Sequence, residues 1–292
     1  VSVSFAGGAR TLNSTAGNTN DVVSVKAGAA FTDVLVGGKL TPRLSGTGFN
    51  DISTIIFNAD AGAGDSLSVT GITTDALIVT LTGVEKLQLN TGNSLTDTVT
   101  VGSTGAPTTT GLTLVTSNVN GNLSLTHNGA ISQSGKLIVS ADARFVADSN
   151  GAGAGGEQNI TLKTSGNSFG AISLFGNNAV LNELGPTNLN TTAFGTNTTT
   201  AAGILTVTST GVISGTGMSV GTTTTLTSNG ANINVSGDFG GSLLLKGTTV
   251  TVTDNAGDTD LGKTTAISDL SVTSTNGEIT NSGSLTVGGL AT

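Results

Sequence analysis

The sequence predicts an all-β protein, an elongated parallel right-handed β-helix (β-solenoid) whose coils have irregular lengths. Apolar residues alternate with Ser, Thr or Asn in many short segments, which is the period of a strand with one buried face. The 292 residues include 44 Gly, 3 Pro and no Cys, Trp or Tyr, so the core must be thin and largely aliphatic. One strand–corner–strand phrase also recurs, and such a phrase buries its apolar face only by stacking on others.

The recurring phrase consists of two alternating strands joined by a Gly-containing corner. Its copies are Leu123–Gly135, Leu205–Gly217 and Leu270–Gly283. Their uneven spacing predicts about three coils of roughly 20 to 30 residues in each interval, with insertions at corners. Gly is expected at the corners because it tolerates the positive φ of a tight turn. The side chains expected to point inward and stack in columns are Leu205, Val207, Leu270, Val272, Leu285 and Val287.

Composition divides the chain into two parts. In residues 1–105 most strands follow an Asp or Asn in a Gly-rich corner, and charged residues are denser there, with 13 of the 28 in about a third of the chain. Residues 106–292 carry the long phrases. The Pro-containing stretch Gly105–Gly111 interrupts the strand rhythm and is the expected junction. We expect the second part to be continuous with the first and to continue beyond residue 292, because its last residues look like the start of another coil.

Charge excludes several partners. Only 10% of the residues are charged, the net charge is −8, and the pI is near 4.4. Nucleic acids and anionic membranes both require a basic face, so neither is an expected partner. No segment is long and apolar enough to span a bilayer.

The second part resembles the repeats of filamentous-haemagglutinin-like bacterial surface proteins over residues 112–292. The resemblance rests on Leu205–Gly217, Gly237–Gly241, Val250–Ala256 and Leu270–Ala291. It implies a right-handed β-helix, secretion and a location at the bacterial cell surface. Residues 1–105 are more faintly similar to β-rich repeats of calcium-dependent surface-layer and repeats-in-toxin proteins, through Gly46–Ile52 and Ala61–Leu67.

Calcium is the one cofactor that the sequence suggests, because Ca²⁺ binds six to eight carboxylate and carbonyl oxygens. The candidate ligands are Asp51, Asp60, Asp65, Asp254, Asp258 and Asp260. The alternative is that these residues form turns, since Asp bonds its own backbone there. The turn-forming role is the favoured one at both groups.

Catalysis is disfavoured. The candidate acid–base carboxylates are Asp254, Asp258 and Asp260, and Asp60 with Asp65. The sole His, His127, lies in a Thr-His-Asn-Gly corner where we expect it to be exposed. Sugar-cleaving sites usually offer flat aromatic faces, and Trp and Tyr are absent. Runs such as Thr222–Thr225 suggest ice binding, which needs Thr residues in register over many successive coils. The uneven repeat argues against such a flat Thr array.

The expected function is therefore structural: an extracellular segment that acts as a stiff fibre, a spacer or a surface-layer component. Its expected partners are further parts of the same chain or other copies, end to end or lateral. The alternative is an adhesin that contacts cell-surface glycans or other cells through corner loops. A β-helix carbohydrate-active enzyme ranks third.

Overall fold

The computed structural model describes the chain in segments and shows only strands, turns and irregular backbone in them. The described residues are 2–6, 9–13, 22–27, 31–36, 39–40, 44–45, 54–58, 66–72, 76–82, 84, 86–91, 97–103, 111–148, 156–191, 193–194 and 197–292. Within these segments, no helix could cross a membrane. The chain divides into two compact units, Val1–Ala141 and Asp142–Thr292.

The first unit consists of short strands. They are β1 Ser2–Ala6, β2 Ala9–Asn13, β3 Val22–Ala27, β4 Phe31–Val36, β5 Lys39–Leu40, β6 Leu44–Ser45, β7 Thr54–Asn58, β8 Ser66–Ile72, β9 Ala76–Thr82, β10 Lys86–Thr91, β11 Asp97–Ser103, β12 Leu112–Leu114, β13 Ser117–Val119, β14 Gly121–His127 and β15 Ile131–Gln133. The next strand, β16 Leu137–Ala147, contains the division between the units.

The second unit contains the remaining strands. They are β17 Ile160–Leu162, β18 Ser168–Gly176, β19 Ala179–Glu183, β20 Thr187–Asn188, β21 Asn190–Thr191, β22 Asn197–Thr198, β23 Thr200–Ala201, β24 Leu205–Ser209, β25 Ile213–Val220, β26 Thr224–Ser228, β27 Ile233–Phe239, β28 Leu243–Gly247, β29 Val250–Asp254, β30 Thr259–Ala266, β31 Leu270–Ser274, β32 Ile279–Asn281 and β33 Leu285–Val287.

Parallel strands stack coil on coil in each unit, which confirms the predicted β-solenoid. In the first unit, one stack runs β7–β9–β11–β14 and another runs β8–β10–β12. The pairings are in register over whole strands, as in Val99↔Leu123 and Leu87↔Leu67. Side chains of one phase therefore superimpose from coil to coil.

The first strands of the chain depart from the all-parallel prediction. β1 pairs antiparallel with β2, and β3 pairs antiparallel with β4, before β2 and β3 join the parallel stacks at β7 and β8. Only Gly7 and Gly8 separate β1 from β2, and a two-residue Gly-Gly connection is a strong signal for a hairpin. The antiparallel pairing of β1 and β2 was therefore predictable from the sequence.

Three sides recur in the coils of the second unit. Side A stacks β17, β19, β24, β26, β28, the last residues of β30, and β33. Side B stacks β20, the first half of β25, the first half of β27, β29 and β31. Side C stacks the end of β18, β23 and the second halves of β25 and β27.

Coil length varies, as the sequence predicted. Thr206 pairs with Thr225, and Thr225 pairs with Leu244, so each of these coils has 19 residues. The coil from Ala179 to Leu205 is longer, because it includes the small antiparallel pair of β21 and β22. The insertion is thus accommodated within one coil and leaves the stacking of the neighbouring coils intact.

Inward residues form a continuous aliphatic core. On side A, Leu205 and Val207 are fully buried, and Leu226 and Leu245 continue the column of Val207. On side B, the inward column runs Ile213–Ile233–Val250–Leu270, and Val272 is also buried. Four of the six predicted core positions are confirmed by this burial.

One expectation about the columns was wrong. Leu205 lies on side A and Leu270 on side B, so copies of the phrase do not stack on each other. Strands on all three sides share the same alternation of apolar and polar residues. The phrase therefore does not show on which side a given strand lies.

Leu285 and Val287 do continue inward columns, since they pair with the buried Thr264 and Ala266. Leu285 is nevertheless 42% exposed and Val287 partly exposed, because β33 pairs with β30 and no other described strand covers it.

Glycines are required by close stacking at some corners and by positive φ at others, such as Gly185 and Gly230. Gly211 and Gly277, the glycines at the corners of two phrases, are not among the described residues with positive φ. A Cβ on Gly211 would lie 2.5 Å from the backbone nitrogen of Pro186, and one on Gly277 would lie 2.3 Å from the carbonyl carbon of Gly257. At these two corners, successive coils therefore approach too closely for any side chain.

The columns predict that a charged substitution destabilises the protein strongly at an inward position and hardly at all at the neighbouring outward position. Val207→Asp would bury an unpaired carboxylate and should lower the free energy of unfolding by at least about 3 kcal/mol. Thr208→Asp, on the outward face of the same strand, should change it by no more than about 0.5 kcal/mol. Urea unfolding of both variants measures this; equal losses would contradict the observed strand phase.

Candidate functional site

Polar side chains occupy the last inward position of several strands, where the chain turns a corner. His127, Ser209 and Asp254 each accept a hydrogen bond from the backbone N–H two residues later. The acceptor atoms are His127 Nδ1, Ser209 Oγ and Asp254 Oδ1, at 3.0, 3.1 and 3.1 Å from their donors. Such local bonds give the corner N–H groups an acceptor on the side chain two residues earlier. The N–H of Gly211 also donates to the carbonyl of Gly185 on the preceding coil, at 3.0 Å.

Asp254 is a fully buried example. Its Oδ1 also accepts a bond from the N–H of Phe239 on the preceding coil, at 3.2 Å. The hydroxyl of Thr259 donates to Oδ2 at 3.0 Å. Both carboxylate oxygens are thus used by the chain's own donors, which is the turn-forming role.

Asp258 and Asp260 connect successive coils at the surface. Asp258 Oδ1 accepts the N–H of Glu278 at 2.9 Å. Asp260 accepts the hydroxyl of Ser242 at 2.5 Å, and both the N–H and the hydroxyl of Ser282, at 2.9 and 2.6 Å. The bonds from Ser242 and Ser282 hold the pKa of the Asp260 carboxyl below its usual value.

The candidate calcium ligands divide into two groups. Asp51, Asp60 and Asp65 lie outside the described residues. Across the segments that the structure describes, no three His, Cys, Asp or Glu side chains come together as a metal-binding group. Calcium binding by Asp254, Asp258 or Asp260 stays a prediction, and the bonds described above account for these residues structurally.

His127 is buried, contrary to the expectation that it is exposed; only 4% of its surface is accessible. It continues the inward phase of Leu123 and Leu125 in β14, and that phase prevails over the polar character of the corner. Burial lowers the pKa of the imidazole, and the Gly129 N–H occupies the Nδ1 lone pair that a proton would take. A neutral ring is therefore favoured.

Glu183 is an ionisable core residue that the sequence reasoning missed. Its Oε1 accepts the N–H of Phe169 at 2.8 Å, while its buried Oε2 has no hydrogen-bond partner. Burial raises the pKa of this carboxyl to about 7, although the bond from Phe169 and the nearby Thr187 hydroxyl lower it. Thr187 Oγ1 and Glu183 Oε2 nevertheless form no hydrogen bond in the structure. The alternation of Ala179, Leu181 and Glu183 was the available signal.

Comparison with known proteins identifies repeats in two stretches. Residues 102–175 and 247–292 match a family described as repeats of unknown function (DUF5649). These stretches contain two of the three phrase copies, Leu123–Gly135 and Leu270–Gly283. No curated protein and no solved structure matches the chain significantly.

The fold and the matched repeats define a class: the chain is a β-solenoid repeat protein. The two matches cover less than half of the chain and are similarities to that repeat family. The resemblance to filamentous-haemagglutinin-like and repeats-in-toxin proteins stays a prediction.

The burial of Glu183 predicts a specific pH dependence. Because its pKa is about 7 in the folded chain and near 4.5 when unfolded, the folded state binds more protons between these values, and stability falls as the pH rises. Glu183→Gln removes this loss and should stabilise the protein, relative to the wild type, by up to about 3 kcal/mol more at pH 8 than at pH 4.

Urea unfolding at several pH values measures this difference. Glu278→Gln, at an exposed position, is the matched control and should show no such trend. A difference between Glu183→Gln and the wild type that does not change with pH would contradict the raised pKa.

Proposed function

We propose that the chain is a structural segment of an extracellular bacterial surface protein, in which it acts as a stiff spacer or fibre. The observation that carries the proposal is the parallel ladder of the second unit. From β24 to β30, every side A strand pairs in parallel with the strand before it and the strand after it. Bending would have to open this ladder on one side.

Side chains reinforce the ladder at the corners. Ser242, Asp260 and Ser282 form one chain of hydrogen bonds across three successive coils. At another corner, Asn178 accepts from Ile204 N–H and donates to Asn159 Oδ1. These bonds resist sliding of one coil past another, which is what a spacer requires.

The outward surface suits an extracellular setting. Its rows consist largely of Ser, Thr and Asn, as in the side B row Ser214–Asn234–Thr251–Ser271. Few charges and many hydroxyls give a surface that stays hydrated across a range of salt concentrations. The resemblance to haemagglutinin-like repeats points to the same location.

Self-association is part of the proposal. Beside β33, the side chains of Ile279, Leu285 and Leu290 are 50%, 42% and 66% exposed. An exposed strand edge with apolar side chains favours pairing with another strand. We propose that further coils of the same protein, or a second copy, provide that strand.

Surface labelling of the producing cells tests the location. Antibodies against the purified chain should label intact cells as strongly as permeabilised cells, and external protease should remove the signal. A cytosolic protein serves as the control and should be labelled only after permeabilisation. Labelling of the chain that also requires permeabilisation would refute a surface role.

Force measurement on the purified chain tests stiffness separately from location. Pulling should release the second unit coil by coil, and each 19-residue coil should add roughly 65 Å of extended chain. Extension at low force without such steps would refute the proposal that the ladder makes the chain stiff.

A further inference from the structure

Side A carries a depression on its outward face, where β26, β28 and β30 lie next to one another. Its volume is ≈ 220 Å³. It is lined on the outer side by Thr225, Thr227, Leu244, Lys246, Lys263 and Thr265. These residues form two rows over three coils, because Thr225 pairs with Leu244, Thr227 with Lys246, and Lys246 with Thr265.

A β-bulge completes the depression. Leu243 pairs with Leu261 and Leu245 with Thr264, so Gly262 and Lys263 together lie opposite Leu244. The extra residue brings the Lys263 side chain to the outer face in the row of Leu244. A Cβ on Gly262 would lie 3.0 Å from Leu244 Cδ1, so glycine at this position lets the two strands approach.

The two lysines form an uncompensated positive pair. Lys263 and Lys246 are diagonal neighbours, with Cα atoms about 8 Å apart from the strand spacing and the rise per residue. Both are exposed, and neither forms an ion pair with a described residue. The carboxylate of Asp260, on the same strand as Lys263, is held by Ser242 and Ser282. In a chain of net charge −8, this places two of only ten cationic residues beside one depression.

The remaining lining residues fit a sugar. Leu244 is half-buried and offers an apolar surface between the two lysines. The hydroxyls of Thr225, Thr227 and Thr265 can donate to and accept from sugar hydroxyls. Two ammonium groups suit the carboxylates of successive acidic sugars, since charge-assisted bonds are the strong ones.

We propose that this depression binds an acidic polysaccharide, a chain of carboxylate-bearing sugars that lies across the coils. This function goes beyond the structural role proposed above and uses a strand face in place of a corner loop. A nucleic acid is the less suitable polyanion, because the lining residues include no aromatic side chain on which bases could stack.

Calorimetric titration of the full chain with polygalacturonate tests the proposal. Saturable binding to polygalacturonate is expected, with none to neutral dextran. Lys246→Ala and Lys263→Ala should each weaken binding about tenfold, because each removes one charge-assisted contact. Lys163→Ala, at another exposed position of the same unit, is the matched control and should bind like the wild type.

The other outcomes overturn the proposal. An equal loss in all three variants would show non-specific attraction, and tighter binding of single-stranded DNA would show that the site takes phosphate. Absence of polygalacturonate binding would refute the site. Thermal unfolding of each variant verifies the fold, and none of these results alters the test of surface location.

Discussion

The hydrogen-bond ladder between successive coils is the constraint on which the rest of the structure depends. It holds each strand about 4.8 Å from the next and fixes the register, so an inward residue contacts the equivalent residues of the coils on either side. The column of Val207, Leu226 and Leu245 shows the result. Inward positions therefore hold mostly apolar residues, and among the polar ones a few atoms, such as Glu183 Oε2, lack a hydrogen-bond partner.

Several of the buried polar side chains lie at the corners, where the strands of the ladder end. Where the chain turns, His127, Ser209 and Asp254 supply acceptors from inside to the N–H groups two residues later. Glu183 likewise supplies an acceptor to the N–H of Phe169, at the expense of a buried oxygen without a partner. The ionisable groups of the core thus serve the fold first, and burial accounts for the pKa shifts of His127 and Glu183.

Alternation predicted the strands and most of the core, because the direction of a side chain depends only on its phase along one strand. Alternation also predicts the burial of His127, but the polar residues of its corner led to the opposite expectation. Pairing between strands far apart in sequence was not predictable in this way. Strand pairing across coils determines why Leu205 and Leu270 lie on different sides. It also determines the bulge that brings Lys263 beside Leu244.

Disulfide trapping tests that register most directly, since the chain has no native Cys. Thr206 and Thr225 are register partners on adjacent strands, with Cα atoms about 4.8 Å apart, whereas Thr206 and Thr227 are about 8 Å apart. Cysteines bridge only when their Cα atoms lie within about 7 Å. Mild oxidation should therefore cross-link Thr206→Cys/Thr225→Cys within one molecule and leave Thr206→Cys/Thr227→Cys reduced; equal cross-linking of both pairs, or the reverse preference, would contradict the stacked coils.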